Sequence, residues 1–215
     1  RQGSGRERSA HIRLDYIRRV SEALPLPKPL KVVVDCGNAI AAKTAPPLLR
    51  ALGCAVVELY CEVDGRFPNH HPDPSVPENL ADLQAAVREH QADIGLAFDG
   101  DADRLGVVTG AGEIIWPDRV LMPLAEEVLM QHPGAAIVYD VKCSWHLTRL
   151  IERLGGQPIL WKSGHSLIKA KMRETGALLG GEMTGHFVHA DDWFGFDDAF
   201  YAAARLLRLL ARRGG

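Results

Sequence analysis

The sequence predicts two consecutive three-layer α/β domains with mixed, mainly parallel sheets. Two observations support this: short apolar runs alternate with amphipathic segments along the whole chain, and the unusual polar stretches each follow a predicted strand, where ligand sites lie in such sheets. The chain has 215 residues, enough for two small domains. A boundary near Gly112 gives domains at 1–112 and 113–215, and one continuous sheet is the alternative.

In the first half, residues 1–10 show no apolar period and are expected to be disordered. Three segments have helical spacing of their apolar residues or helix-start prolines: 11–24, 45–53 and 77–90. Three short apolar runs are typical of buried strands: 31–35, 55–60 and 92–98. The chain then continues extended over 104–109, and a glycine-containing turn follows.

The second half repeats this alternation. Helices are predicted at 117–132, 144–155, 166–176 and 196–213. Strands are predicted at 135–140, 157–162 and 177–188, the last with a glycine-rich interruption. The similar content of the two halves favours two domains of one architecture.

Composition excludes several classes of partner. The formal net charge is −2 and no block of like charge is present, so neither a nucleic acid nor a membrane is expected to bind. The four cysteines, at positions 36, 54, 61 and 143, form no CxxC pair, and there is no long apolar run. A reduced, cytoplasmic protein with buried or loop thiols is the simplest interpretation.

Three aspartates alternate in "GLAFDGDADRLGVV": Asp99, Asp101 and Asp103. Alternate positions of an extended loop aim carboxylates at one point, and Mg²⁺ prefers oxygen ligands. Arg104 would suit a phosphate beside the metal. An EF-hand loop is excluded, because its sixth and twelfth positions hold Arg104 and Gly110. A solvated acidic turn is one alternative. An aspartyl phosphatase with Asp99 as nucleophile and Asp101 as acid is another.

Two further loops follow predicted strands. In "WKSGHSLIKAKM", Gly164 permits a tight turn, and His165 lies at the strand–helix junction. A capping turn with an incidental histidine is the alternative. In "DVKC", Lys142 would meet an anionic ligand or be a solvated loop lysine. The segment "HHPDP", at 70–74, is better interpreted as a rigid loop than as a metal cluster.

The last candidate motif is "GGEMTGHF", in which glycines flank an acid, a hydroxyl and an imidazole. Glu182 and Thr184 would hydrogen-bond vicinal sugar hydroxyls, and His186 would move a proton near neutral pH. The alternative is an edge strand kinked by its glycines.

Taken together, these motifs resemble the α-D-phosphohexomutase superfamily, and most closely its bacterial phosphomannomutase/phosphoglucomutase branch. The resemblance rests on "GLAFDGDADRLGVV", "DVKC", "WKSGHSLIKAKM", "GEMTGHF", "WFGFDDAFYAAARLL" and "CEVDGRFPNHHPDPSVPENL". It covers nearly everything after about Leu30. In that family four domains surround one cleft, and a phosphoserine of the first domain exchanges its phosphoryl group with a hexose phosphate through a bisphosphate intermediate.

The resemblance implies a role for each candidate residue. Asp99, Asp101 and Asp103 would hold Mg²⁺ in the second domain, with Arg104 near the phosphoserine. The "GEMTGH" loop would be the sugar-specificity loop of the third domain, where Glu182 and Thr184 contact sugar hydroxyls. The cleft would also be lined by Lys142, Gly164, His165 and His186, with His186 the better candidate for proton transfer. The implied substrates are mannose or glucose 1- and 6-phosphates and the bisphosphate.

The sequence departs from the family pattern in three respects. The phosphoserine motif and the serine- and arginine-rich loop of the last domain are absent, so the chain looks like the two middle domains. It is expected to be inactive alone and to need the first and fourth domains in cis or in trans. Ala39 and Ala42 stand where the family tends to have glycine, and Thr184 stands where serine is common. A non-catalytic sugar-phosphate or metal-binding module is the rival interpretation.

Overall fold

Two sheets with matching strand order organise the protein in our computed structural model, which describes residues 3–213. The strands of the first sheet are β1 (Lys31–Asp35), β2 (Ala55–Leu59), β3 (Ile94–Phe98), β4 (Leu105–Thr109) and β5 (Ile114–Ile115). Those of the second are β6 (Ala136–Asp140), β7 (Gln157–Trp161), β8 (Leu179–Gly181) and β9 (Phe187–His189). The first sheet has the order β2-β1-β3-β4-β5 and the second the order β7-β6-β8-β9.

The sheets are mixed and mostly parallel, which confirms the predicted fold class. In each, a central strand pairs in parallel with both neighbours: β1 with β2 and β3, and β6 with β7 and β8. The antiparallel pairs are β3 with β4, β4 with β5, and β8 with β9. Because the parallel strands of each sheet end on one edge, the loops that follow them converge there.

Helices cover both sheets. They are α1 (Arg13–Ala23), α2 (Ala45–Ala51), α3 (Ala81–Glu89), α4 (Pro117–Gln131), α5 (Trp145–Arg153), α6 (His165–Thr175) and α7 (Ala199–Arg213). Local sequence explains several of their ends. Prolines occupy the first turn of α2. The Ser144 side chain caps α5, and α6 ends at Gly176, which has a φ of 68°.

Two sequence predictions need correction. The segment 177–188 is not one strand: β8 and β9 form an antiparallel hairpin, and the chain reverses over 182–186, where Gly185 adopts a φ of 101°. The glycine-rich stretch is therefore a turn that carries side chains rather than a kink. The predicted helix at 77–90 begins as a short 3-10 helix over 77–80 and becomes α-helical only in α3.

Three apolar clusters pack helices against both faces of each sheet, so that each sheet lies between two helical layers. One cluster packs α3 against the first sheet, and another packs α6 against the second. The largest is shared: it joins α1 and α2 beneath the first sheet to α4, α5 and α7 beneath the second. This common core fixes the two sheets against each other.

Residues 3–10 are exposed and contain no helix or strand, while residues 1, 2, 214 and 215 lie outside the described part. Across residues 3–213, none of the helices has the length and apolar character needed to cross a membrane. All four cysteines are free, and three of them are buried. The cytoplasmic location stays a prediction.

A buried ion-pair network links α4 to α7. The guanidinium of Arg205, which is 0% exposed, bonds Glu127 at 2.7 Å and Asp191 at 2.8 Å. Arg208 adds a second bond to Glu127, whereas Arg212 reaches it from the surface. Such a pair is costly to break, because removing one partner leaves an uncompensated buried charge.

The proline-rich loop after β2 is fastened to the end of β1. His70 Nε2 lies 3.0 Å from the carboxylate of Asp35, which is fully buried and also accepts a hydrogen bond from the amide of Gly37. The hydrogen bond with Asp35 raises the pKa of His70 above its ordinary value, although partial burial opposes the charge. This pair sets the path of the "HHPDP" segment, which is a loop, as predicted.

Candidate functional site

The acidic loop, residues 99–104, follows the carboxyl end of β3 and leads into β4. Asp99, 2% exposed, lies deepest: one oxygen accepts the backbone amides of Asp103 and Arg104, each at 3.0 Å. Ala102 has a φ of 67°, an uncommon conformation for a residue with a side chain. This tight turn brings carboxylate oxygens of Asp99, Asp101 and Asp103 within 4.8 Å of one another.

Arg104 pairs with two carboxylates. Its Nε donates to Asp99 at 2.7 Å, and its Nη1 donates to Asp73 at 3.0 Å. Asp73 belongs to the "HHPDP" segment, so the fastened loop contributes to the site after all. The Arg104 side chain is 24% exposed, and its guanidinium has further N–H groups that can bind an anion.

The hairpin turn between β8 and β9 holds a compact acid–hydroxyl–imidazole set. His186 Nδ1 lies 3.3 Å from the carboxylate of Glu182 and 3.2 Å from the hydroxyl of Thr184. Glu182 is buried, and its other oxygen accepts the backbone amide of Gly164. Its two oxygens thus tie the hairpin turn to the loop before α6.

The acidic loop and the hairpin turn contact each other across the two sheets. The backbone amide of Leu105 donates to the carbonyl of Gly185 at 3.0 Å, and Arg104 and His186 form an isolated antiparallel bridge. Side chains extend the contact: Asp103 lies 3.2 Å from His186 Nε2. His186 is therefore held between carboxylates of both halves of the chain.

A second histidine completes the cluster. The ring of His165 stacks on that of His186, with centroids 5.1 Å apart and an interplanar angle of 18°. Asp197, in the loop before α7, contacts His165 Nδ1 at 3.0 Å, also bonds the ammonium of Lys169, and lies 4.0 Å from His186 Nε2. Lys142, unlike the other predicted site residues, does not contact this cluster. It is exposed, and its ammonium forms no ion pair within residues 3–213.

Neighbouring charges shift the pKa values of the cluster. Burial opposes the charged imidazole of His186, but the hydrogen bond with Glu182 and the carboxylates of Asp103 and Asp197 raise its pKa above the ordinary value. Burial and the surrounding carboxylates raise the pKa of Asp103, against the effect of His186. Burial acts to raise the pKa of Asp197 as well, but the bond with Lys169 outweighs it and the pKa of this carboxyl is lowered. Perturbed groups of this kind concentrate at functional sites.

Two overlapping donor sets among residues 3–213 could hold a metal ion: the three loop aspartates, and Asp103 with His186 and Asp197. The first offers only carboxylate oxygens, which hard cations prefer. The second mixes oxygen and nitrogen, which suits transition metals better.

A cavity of about 500 Å³ opens beside the acidic loop. Its walls carry acidic, apolar and basic side chains, including Asp101, Asp103, Asp197, Ile40, Phe196, Phe200, Arg13 and Lys43. A ligand in this cavity would reach the acidic loop directly.

Sequence reasoning missed three members of the site: Asp73, Lys169 and Asp197. Asp73 and Asp197 lie inside the quoted segments "CEVDGRFPNHHPDPSVPENL" and "WFGFDDAFYAAARLL", but nothing local distinguishes them from ordinary loop acids. Lys169 follows His165 by one helical turn, a spacing that indicates a shared face.

Models of known protein families match both halves of the chain. The family model described as "Phosphoglucomutase/phosphomannomutase, alpha/beta/alpha domain II" matches residues 14–112, and the model of domain III of the same family matches residues 116–215. The chain belongs to the phosphoglucomutase/phosphomannomutase family, as the motifs indicated.

Individual relatives show the same relationship. The chain is 57% identical over 210 residues to a phosphomannomutase/phosphoglucomutase of Pseudomonas aeruginosa, covering 98% of this chain and 45% of that protein. It is 52% identical over 197 residues to a phosphoglucomutase of Neisseria meningitidis, covering 92% and 43%. A solved family protein from Burkholderia thailandensis superposes with a TM-score of 0.92 at 56% identity, covering 94% and 44%. The chain thus spans about half the length of these relatives.

Proposed function

We propose that this chain is the metal- and sugar-binding part of a phosphohexomutase, an enzyme that interconverts hexose 1-phosphates and 6-phosphates through a bisphosphate. In this proposal, residues 1–112 carry the metal loop and residues 113–215 carry the sugar loop. The first and last domains of the family, in cis or in trans, would supply the phosphoserine and the remaining phosphate contacts. Mannose and glucose phosphates are both candidate substrates.

The observation that carries the proposal is the contact of Asp103 with His186. It joins a cation-attracting loop to a loop with sugar-binding chemistry, at 3.2 Å, across two separate sheets. A phosphoryl group beside the aspartates would therefore lie within reach of the imidazole. Neither loop alone points to a phosphorylated sugar, but the combination of the two supports one.

For the metal we propose Mg²⁺ on Asp99, Asp101 and Asp103, because the donor set is all oxygen. Bound there, Mg²⁺ would neutralise charge on a transferring phosphoryl group. Asp99 is the least available of the three as a metal ligand, because its oxygens already accept hydrogen bonds from three N–H groups. Asp101 is exposed and is the most available ligand.

The remaining residues would bind and orient the sugar phosphate. Glu182 and Thr184 would accept and donate hydrogen bonds to vicinal hydroxyls. His186, poised between carboxylates, would take or give the hydroxyl proton. The turn at Gly164 with His165, together with Lys142 and Arg104, would contact the anionic groups of the substrate.

The geometry disfavours an aspartyl phosphatase. A nucleophilic Asp99 needs a free oxygen facing the substrate, but one oxygen accepts two backbone amides and the other is bonded to Arg104 at 2.7 Å. A non-catalytic sugar-phosphate module remains the second candidate, because the same loops would serve binding alone.

Two substitutions separate the metal sets, because Asp101 belongs only to the first and His186 only to the second. We expect Asp101→Asn to abolish most Mg²⁺ binding in calorimetric titration, and His186→Ala to reduce it little. The reverse result would assign the metal to the set containing Asp197.

Binding of glucose 1-phosphate, followed by NMR in the presence of Mg²⁺, tests the sugar loop. Glu182→Gln should weaken it about 10- to 100-fold, since a hydrogen bond to a charged group is worth about 1.5–3 kcal/mol, and should leave Mg²⁺ affinity nearly unchanged. Glu174→Gln, at an exposed glutamate of α6, is the matched control. Equal binding by the wild type and Glu182→Gln would remove Glu182 from the sugar site.

A further inference from the structure

We propose that Asp140 is the positioning residue of the substrate loops: one buried carboxylate at the end of β6 holds all three loops that carry the sugar-binding candidates. The inference deepens the proposed function and rests on it for the identity of the ligand. Asp140 has no exposed surface, so it acts through the loops rather than on the substrate.

Each loop donates one hydrogen bond to this carboxylate. In the loop after β6, the thiol of Cys143 donates to Oδ1 at 3.2 Å. In the loop after β7, the hydroxyl of Ser163 donates to Oδ2 at 2.7 Å. In the turn after β8, the backbone amide of Met183 donates to Oδ1 at 3.2 Å.

The topology explains why one residue can do this. β6 is the central strand, with β7 and β8 parallel on either side, so the loops after all three strands converge above its carboxyl end. Each donor is adjacent to a candidate ligand. Cys143 follows Lys142, Ser163 precedes Gly164, and Met183 follows Glu182.

The first sheet provides an internal comparison. Its central strand also ends in a buried aspartate, Asp35, at the corresponding position. That carboxylate holds the Gly37 amide and the His70 ring, which belong to the turn after β1 and the loop after β2. The buried acid is thus common to both sheets, while within residues 3–213 three loops are bonded only to the carboxylate of the second.

A buried carboxylate whose hydrogen-bond donors within residues 3–213 are a thiol, a hydroxyl and an amide, all neutral, is energetically costly. Its oxygens must be satisfied inside the protein, so the loops that donate to it are fixed as a group. Removing the carboxylate would leave the Ser163 hydroxyl and the Met183 amide unpaired and would release the three loops together. An asparagine in its place keeps one acceptor oxygen, and the Ser163 hydroxyl can turn to accept from its amide.

The experiment compares wild-type protein with Asp140→Ala, Asp140→Asn, Ser163→Ala and, as a matched control, Asp35→Ala. Hydrogen exchange is measured at the amides of residues 141–144, 162–166 and 182–186. Asp140→Ala should accelerate exchange roughly tenfold or more in all three segments, since one buried hydrogen bond is worth about that factor. Asp140→Asn should restore most of the protection.

The other variants give local effects. Ser163→Ala should affect mainly 162–166, and Asp35→Ala should affect the segments around Gly37 and His70 instead. If Asp140→Ala fails to fold, a Cys143→Ala and Ser163→Ala double variant should loosen 141–144 and 162–166 together. Unchanged exchange in that double variant, or uniform acceleration of all amides in folded Asp140→Ala, would overturn the proposal.

Ligand binding separates this inference from the function beneath it. With glucose 1-phosphate as probe, Asp140→Ala should lower affinity about tenfold or more, Asp140→Asn should restore it, and Mg²⁺ affinity should stay constant. If the wild type does not bind glucose 1-phosphate, the proposed function fails, while the exchange pattern still decides whether Asp140 holds the loops. Binding by Asp140→Ala equal to that of wild type would contradict the positioning role.

Discussion

Gly185 is the residue through which the hairpin turn between β8 and β9 contacts the start of β4, and Gly185→Ala tests that contact. The residue has a φ of 101°, and a Cβ atom there would lie 2.9 Å from the carbonyl oxygen and 3.3 Å from the amide nitrogen of Leu105. Both atoms are backbone, so no side-chain rotation relieves the clash. The substitution must push the hairpin turn away from β4 and break the hydrogen bond between Leu105 and Gly185.

The magnitude follows from two contributions. A side chain in this backbone region costs about 1–2 kcal/mol, and the lost hydrogen bond costs about 0.5–1.5 kcal/mol. We therefore expect the free energy of unfolding to fall by about 1.5–3.5 kcal/mol. Gly176→Ala is the control, because Gly176 also has a positive φ, of 68°, but its Cβ would meet nothing within 4 Å. It should lose only about 1–2 kcal/mol.

Urea denaturation gives both stabilities, and NMR titration gives the glucose 1-phosphate affinity of the folded variants. Gly185→Ala should be the less stable of the two. It should also weaken glucose 1-phosphate binding, because displacement of the turn moves Glu182, Thr184 and His186. Equal losses of stability in the two variants, with equal glucose 1-phosphate binding, would show that the contact between the acidic loop and the hairpin turn is dispensable.

Three further predictions concern single residues. Because the bond with Asp35 raises the pKa of His70, the pair stabilises the folded protein fully below the unfolded-state pKa near 6.5, and this stabilisation is lost as pH rises through the folded-state pKa. The difference in unfolding free energy between wild type and His70→Asn should therefore shrink from pH 6 to pH 9 in urea denaturation, and a growing difference would contradict this sign. Arg205→Met should lower the free energy of unfolding by about 3–5 kcal/mol, since it removes a buried guanidinium from Glu127 and Asp191. The half-exposed Arg212→Ala should change stability by less than about 1 kcal/mol, and equal effects in urea denaturation would contradict the difference in burial. Ala102→Gly should stabilise by up to about 1 kcal/mol by relieving the positive φ, and a thermal melt showing destabilisation would mean that the turn is not strained.

Local patterns were sufficient for most of the architecture. The apolar runs at 31–35 and 135–140 predicted β1 and β6 closely, because strands covered on both faces leave continuous apolar sequence. The acidic loop was equally visible, since three carboxylates at alternate positions have no packing explanation. The segment 177–188 was misread because β8 and β9 have only three residues each, too few for a period to show.

The assembled site could not be read from local sequence. The contact between Asp103 and His186 depends on how the shared core sets two sheets against each other, a property of packing between distant segments. Asp197 reaches the histidines only because α7 packs beneath both sheets. Asp140 looks like any carboxylate after a strand, and its role follows from burial and from three donors on separate loops.

The central claim is that the three aspartates hold Mg²⁺ beside a bound sugar phosphate, and calorimetric titration of Mg²⁺ with and without glucose 1,6-bisphosphate tests it most directly. Two ligands that share a site bind cooperatively, with coupling commonly about 5- to 150-fold. We expect weak Mg²⁺ binding alone, in the millimolar range typical of sites that complete their shell with water and phosphate. The bisphosphate should tighten it at least about fivefold, and Asp101→Asn should abolish that gain. Tight Mg²⁺ binding whose affinity is changed neither by the bisphosphate nor by Asp101→Asn would contradict this claim.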